Sequence, residues 1–280
     1  MREIDVSEVT RAIKEMCVEA NHRLSPDMKK ALYDGCEKEE SSLGKKILMQ
    51  LEDNLKIADE DTIPICQDTG MAVVFIKVGQ DVHLTDGNLE DAINEGVKRG
   101  YIDGFLRKSV VDDPIIRKNT GDNTPAIIHY EIVSGDKVEI TIAPKGFGSE
   151  NMSRVFMLKP ADGIEGVKNA VLTAVKDAGP NACPPMVVGV GIGGTFEKCA
   201  ILAKKALTRE AGKHSDIGWV KDLEEELLER INKTGIGPGG LGGTVTAFAV
   251  NVLTYPTHIA GLPVAVNICC HVNRHVTRTI

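Results

Sequence analysis

Seven cysteines in 280 residues set the first chemical question. Four lie in stretches unlike helix interiors. Cys66 opens Cys66-Gln67-Asp68-Thr69-Gly70, Cys183 sits in Asn181-Ala182-Cys183-Pro184-Pro185, and Cys269-Cys270 lie near the C-terminus. Cys17, Cys36 and Cys199 fall in helical patterns and read as small buried apolar residues. The long separations between Cys66, Cys183 and Cys270 match no local zinc or ferredoxin spacing, so spacing alone leaves unrelated buried thiols as an open reading. Their setting adds something. In a turn a thiolate is accessible, and backbone N–H groups can point at sulfur. Three thiolates converging from distant segments could hold three irons of a [4Fe–4S] cube, leaving one iron without a protein ligand. Such an iron is a Lewis acid, able to bind a substrate hydroxyl and carboxylate and to help the hydroxyl leave.

Six motifs stand around these cysteines: CQDTG at 66–70, NTGDNTP at 119–125, APKGFGSEN at 143–151, ACPP at 182–185, GIGGT at 191–195 and HIAGLPVAVNICCHVNRH at 258–275. In order and spacing they resemble the alpha part of the iron–sulfur hydro-lyases, namely class I fumarate hydratase and L-tartrate dehydratase. The resemblance runs from about residue 5 to the C-terminus, and its specificity lies in the combination. It implies a [4Fe–4S] cluster ligated by Cys66, Cys183 and Cys270, with one iron lacking a protein ligand. Cys270 is preferred to Cys269 because the family's cysteine stands four residues before an arginine, here Arg274, and twelve after a histidine, here His258.

The same resemblance assigns the substrate-facing residues. Gln67 matches a substrate-contacting amide, and Asp68 an acid that assists proton transfer. His258 matches an active-site histidine that hydrogen-bonds substrate or exchanges protons. Arg107, in Phe105-Leu106-Arg107-Lys108-Ser109, matches a carboxylate-binding arginine, a task suited to the bidentate guanidinium. Gly148 matches a glycine whose backbone approaches the substrate. Without the family, Asp68 would read as a turn cap, His258 as a structural histidine and Arg107 as a solvent-facing helix end.

The reaction expected is reversible hydration of fumarate to S-malate, a small dicarboxylate pair, with the cluster acting as Lewis acid and doing no net redox work. L-tartrate dehydration is the alternative within the family. A non-catalytic iron–sulfur electron carrier or sensor is the alternative of another class, and it would favour a fourth cysteine ligand. Cys269 could hardly serve, since adjacent strand residues face opposite ways. The family builds its enzymes fused or as two subunits. With the chain ending soon after Cys270, the expected partner is a beta subunit on another chain, within a higher-order oligomer.

The elements that must position these residues read as α/β. A helical N-terminal layer over about 1–60 precedes an α/β cluster-binding region over about 61–280, together one domain; the resemblance adds the mixed sheet of the hydro-lyase alpha type. Ile4, Val9, Ile13, Met16, Cys17 and Ala20 mark a first helix, Ser25-Pro26-Asp27 the capped start of a second, and Leu43, Ile47, Leu51 and Leu55 a third. Strands are expected at 72–78, 127–132 and 138–142, the last two joined by Ser134-Gly135-Asp136 as a β-hairpin. Helices follow at 89–106, weakened by Gly96, Gly100 and Gly104, then at 163–178, 195–207 and 219–232. Further strands are expected at 186–190, 244–253 and 263–268.

Composition sets limits. Apolar residues at 42% and charged residues at 26% place the chain among globular proteins. A net charge of −7 argues against nucleic acid or an anionic membrane as partner, so an anionic substrate must be captured by local cations. No apolar run approaches the roughly 18 residues of a membrane span, and the polar start lacks a signal-peptide core, so a cytoplasmic protein with reduced thiols is expected. Gly189-Val190-Gly191-Ile192-Gly193-Gly194 fits G-x-G-x-x-G, but no second strand ending in an acidic residue follows, so it reads as a strand-to-helix turn. The glycine run 235–243 lacks the Lys-Ser/Thr of a phosphate loop. His83, His129, His214, His271 and His275 receive no role.

Overall fold

A computed structural model describes residues 1–280. Eight helices and ten strands follow in the order β1 (Arg2–Asp5), α1 (Val6–His22), α2 (Pro26–Lys38), α3 (Ser42–Glu60), β2 (Met71–Gly79), β3 (Val82–Thr85), α4 (Leu89–Asp103), β4 (Ile127–Val133), β5 (Val138–Lys145), α5 (Phe147–Glu150), β6 (Arg154–Leu158), α6 (Gly163–Ala178), β7 (Met186–Gly193), α7 (Phe196–Ala206), α8 (Gly218–Asn232), β8 (Ala247–Tyr255), β9 (Leu262–Cys269) and β10 (Val276–Thr279). This is the expected α/β class, with a largely helical first sixty residues. The chain forms two compact units. One comprises Met1–Ser25, Leu55–Phe147 and Arg274–Ile280, and the other Pro26–Asn54 and Gly148–Asn273.

In the first unit α1 is capped by Asp5, whose carboxylate accepts the Ser7 N–H at 2.8 Å. Its apolar stripe, Val9, Ile13, Met16 and Cys17, is fully buried. The glycines that weaken α4 on paper have a packing reason. A Cβ at Gly96 would lie 2.8 Å from the Thr10 carbonyl, and one at Gly100 would lie 2.8 Å from the Cys17 Cβ. Their absence lets α1 lie directly on α4, and the contact outweighs the propensity cost of about 1 kcal/mol per glycine. The shared core then takes in alternate residues of the sheet: Val74 and Ile76 of β2, and Ile140 and Ile142 of β5.

The sheet of this unit runs β10-β5-β2-β4, with β5 antiparallel to β10 and β2, and β2 parallel to β4. The expected hairpin between β4 and β5 is therefore not formed, because β2 lies between them. The Ser134-Gly135-Asp136 turn passes the end of β2, where Asp81 N–H donates to the Gly135 carbonyl at 2.9 Å and Gly79 N–H to Lys137 at 2.8 Å. The turn signal marked a chain reversal correctly. It carried no information on which strand fills the middle, a place taken by the most apolar strand, which gains neighbours on both sides. Ile4, read as helical, belongs to β1, which pairs in parallel with β3. The second helix does start at Pro26, yet the Ser25 hydroxyl finds no hydrogen-bond partner.

The second unit carries the sheet β6-β9-β7-β8, with the same alternation of directions. Strand β7 is buried on both faces. Val188 and Val190 join the core built with Val171 and Val175 of α6 and Leu223 and Leu227 of α8. The intervening Gly189 and Gly191 face α7 so closely that added Cβ atoms would sit 2.2 Å from the Ala203 carbonyl and 2.1 Å from the Cys199 carbonyl. The G-x-G of the dinucleotide-like motif thus lies inside the strand and serves helix–strand contact. No helix is long and apolar enough to cross a membrane.

Candidate functional site

Cys66, Gln67 and Asp68 occupy an irregular segment before β2 in the first unit. Cys66 and Asp68 are half-buried and Gln67 is exposed. The Asp68 N–H donates to Cys66 Sγ at 3.4 Å. Both Asp68 carboxylate oxygens are held by backbone: Oδ1 accepts from Gly70 at 3.0 Å and Oδ2 from Phe147 at 3.0 Å.

Four buried side chains fix this segment. The Tyr101 hydroxyl donates to the Thr69 and Gly70 carbonyls at 2.8 and 3.1 Å. Burial pushes that phenol far above its ordinary value, so it remains a donor. Asn123 donates to the Gly70 carbonyl at 3.1 Å. Arg274 donates to the Asp68 carbonyl, and through Nε to Pro144 at 3.4 Å. Thr69 Oγ1 donates to the Arg107 carbonyl at 3.0 Å. Gly70 has φ +74, and a Cβ there would lie 2.8 Å from the Lys145 backbone, so the chain can enter β2 along this path only as glycine. The Arg107 guanidinium is exposed and makes no hydrogen bond or ion pair within the protein.

Cys183, Cys270, Gly148 and His258 belong to the second unit. Cys183 is exposed and left-handed, with φ 51 and ψ 64, and its N–H donates to Pro180 at 3.0 Å. Its carbonyl accepts the His271 N–H at 3.3 Å and faces His271 Nδ1 at 3.1 Å, so the structure brings the Cys183 turn to the residue next to Cys270. The glycine run packs against the same turn. Gly239 N–H donates to Pro184 at 2.9 Å, and a Cβ on Gly240 would lie 2.4 Å from the Pro180 side chain. Cys269 ends β9 and is buried, whereas Cys270 lies beyond the strand and is half-buried. Gly148 is exposed, and a Cβ there would meet only the Asn181 carbonyl, at 3.7 Å. Nothing within its own unit demands glycine. Glu150, two residues on, pairs with Lys204 and accepts from Asn267 at 2.9 Å, tying this turn to β9. His258 lies exposed in a turn, its Nδ1 accepting the Ala260 N–H at 3.2 Å, which leaves Nε2 outward.

The donor set suits a thiolate-bound iron–sulfur group. Cys66, Cys183 and Cys270 are all at least partly accessible, form no disulfide, and lie in turns or beyond a strand end. Cys17, by contrast, is sealed in the core, where burial pushes its thiol up to about 12. Arg274 is buried without a carboxylate partner, and its Nη1 has no hydrogen bond, an uncompensated cation that suits an anionic group nearby. No group of three or more His, Cys, Asp or Glu side chains is gathered as ligands of a single metal ion.

Tyr101, Asn123, Thr69 and Arg274 carry no site role in the sequence reading. Asn123 was inside the NTGDNTP motif and Arg274 served as a landmark, so both were within reach. Tyr101, on a glycine-interrupted helix, offered no signal.

Known proteins match this sequence over nearly its whole length. A family model described as fumarate hydratase (fumerase) covers residues 10–279. The chain is 42% identical over 278 residues to the putative L(+)-tartrate dehydratase subunit alpha of Methanocaldococcus jannaschii, covering 97% of each chain. It is 32% identical over 275 residues to the L(+)-tartrate dehydratase subunit alpha of Escherichia coli (strain K12), covering 97% of this chain and 90% of that one. A match of this extent is decisive: the chain belongs to the fumarate hydratase family of hydro-lyases.

Proposed function

We propose that this chain is the alpha subunit of an iron–sulfur hydro-lyase that removes water from a small hydroxy-dicarboxylate, with L(+)-tartrate as substrate. The observation that carries the reading is the Asp68 carboxylate, fixed by two backbone N–H groups beside Cys66. The names of the relatives favour tartrate over the fumarate first expected from the motifs. Fumarate and S-malate form the second reading, favoured by the description of the family model.

Cys66, Cys183 and Cys270 would hold the cluster. When bound, a [4Fe–4S] cluster with one iron free of protein ligands supplies a Lewis acid toward the substrate hydroxyl and its neighbouring carboxylate. Arg107 takes the other carboxylate through paired N–H donors, which its unengaged guanidinium leaves free for the task. Gln67, exposed beside Asp68, offers an amide to a substrate oxygen. Gly148 keeps clear the space over its backbone. Asp68 accepts the proton from the carbon next to a carboxylate, since its oxygens are oriented before substrate arrives and need no reorganisation. His258 presents Nε2 for proton exchange as the hydroxyl departs as water. With tartrate the product is an enol, which becomes a 2-oxo dicarboxylate by proton shift.

A beta subunit on a separate chain completes the cleft, so the alpha chain alone binds a cluster and turns over little substrate. The test is anaerobic reconstitution of the cluster with the partner beta chain, then assay of L(+)-tartrate, S-malate and fumarate. Preference for tartrate by at least about tenfold in kcat/KM, or 1.4 kcal/mol, supports the first reading. The opposite preference selects the second. No turnover of any of the three removes the hydro-lyase reading.

A further inference from the structure

The Arg107 guanidinium makes no bond within the protein, so its direction depends on the backbone that carries it. That backbone is irregular between α4 and β4, where segments are ordinarily mobile. Here it is tied to the Cys66–Gly70 segment by two buried side chains, Asn123 and Thr69. Asn123 is fully buried and takes φ +65, a conformation asparagine tolerates better than most residues. Its Oδ1 accepts the Ser109 N–H at 2.7 Å and the Val110 N–H at 3.2 Å, while its Nδ2 donates to the Gly70 carbonyl at 3.1 Å. One amide thus answers two donors on the arginine's side and one acceptor on the cysteine's side. Thr69, 1% exposed, adds a second tie through its 3.0 Å bond to the Arg107 carbonyl.

Chemistry narrows what can stand at 123. An aspartate would keep the acceptor and lose the donor, setting a charge against the Gly70 carbonyl. An aliphatic residue would leave the buried Val110 N–H and the part-buried Ser109 N–H without their acceptor. A purely local turn support would need bonds to one segment only, whereas Asn123 spans two that hold different proposed functions.

We propose that Asn123, assisted by Thr69, is a positioning residue that sets the Arg107 guanidinium in register with the Cys66–Asp68 segment and so places the substrate carboxylate relative to the Asp68 carboxylate. The inference rests on the proposed role of Arg107 as carboxylate clamp.

The test uses the assembled alpha–beta enzyme with its cluster reconstituted, in the variants Asn123→Gly, Thr69→Val, Arg107→Ala and the doubles with Arg107→Ala. Glycine at 123 tolerates the positive φ, so the variant removes the ties without adding backbone strain. Arg107→Ala is expected to raise KM by at least tenfold. Asn123→Gly is expected to raise KM about tenfold and Thr69→Val about threefold, each with a smaller change in kcat and with iron content and visible absorbance retained. In the Arg107→Ala background neither substitution should raise KM further, because the side chain they position is gone. Additive effects on KM, or an unchanged KM in Asn123→Gly where Arg107→Ala raises it, overturn the inference. An unchanged KM in Arg107→Ala overturns the reading of Arg107 itself, so the two failures are told apart. Thr69→Val removes a single hydroxyl and keeps the claim testable should Asn123→Gly not fold.

Discussion

Asp68 Oδ2 accepts the Phe147 N–H at 3.0 Å, joining the carboxylate after Cys66 to the turn that follows β5. The Gly146 α-carbon lies beneath that bond, and a Cβ there would stand 3.0 Å from Oδ2. Gly146→Ala should therefore displace the carboxylate by a few tenths of an ångström and lower kcat by about tenfold, with cluster absorbance intact. Asp68→Asn keeps an acceptor at Oδ1 but removes the base, and should cost about 10²- to 10⁴-fold in kcat. Wild-type kcat in Asp68→Asn would take the proton transfer away from this residue.

Cluster retention tests the ligands separately from turnover. After anaerobic reconstitution, Cys66→Ala, Cys183→Ala and Cys270→Ala should each lose most visible absorbance and iron, and Cys269→Ala should keep both. Cys269 pairs with Val187 inside the buried end of β9, where its side chain is already packed. Loss of iron in Cys269→Ala but not in Cys270→Ala would reverse the choice within the pair.

Tyr101 anchors the Cys66 segment through two carbonyls. Tyr101→Phe should lower stability by about 1–2 kcal/mol, because the Thr69 carbonyl loses the phenol donor while the Gly70 carbonyl keeps Asn123. A urea titration reads that change. Iron release to a chelator should quicken in parallel, and an unchanged release rate would show that the segment is held without the phenol.

Glu39 is 1% exposed between α2 and α3 and accepts N–H bonds from Ser41 at 2.8 Å, Thr244 at 2.9 Å and Val245 at 2.8 Å. Burial alone would raise its carboxyl, but the donors together outweigh it and hold the group below the ordinary 4.5. A folded value below the unfolded one gives stability that is present above about 4.5 and is lost as pH falls through the folded value. Glu39→Gln should cost about 2 kcal/mol at pH 7 and flatten the fall of the thermal midpoint as pH drops below about 4.5. Parallel pH profiles for the two proteins would assign the acid sensitivity to other carboxylates.

Gly191→Ala places a Cβ against the Cys199 carbonyl, so expression should fall or the thermal midpoint drop by several degrees, about 2 kcal/mol or more. Wild-type protein should leave NADH fluorescence unchanged. Quenching or enhancement on addition of the protein would return the glycine motif to nucleotide binding.

Particular residues show what could be read without coordinates. The helices at 6–22 and 42–60 are legible because the apolar period of one face marks them, that at 89–103 despite Gly96 and Gly100, and the start of the one at 26–38 from the proline at its first position. The family, the cysteine candidates and the acidic residue beside Cys66 are legible because their motifs are contiguous. Strand neighbours were not. The placing of β2 between β4 and β5 is decided by burial of the most apolar strand, a competition among segments far apart in sequence. The short strands β1, β3, β6 and β10 were missed because four or five residues give too little periodicity to stand above chance.

The sequence by itself determined the inventory from which a site can be built: cysteines in turn-prone stretches, a carboxylate beside one of them, a histidine, an arginine and a net charge too negative to gather an anion without local cations. Only the tertiary structure decided what holds them. Asn123, Tyr101 and Arg274 act on carbonyls and N–H groups of remote segments, and every residue type presents the same backbone groups. Such bonds leave no mark on the identity of the residue that receives them. They follow from which segments the packed core brings within about 3 Å of one another.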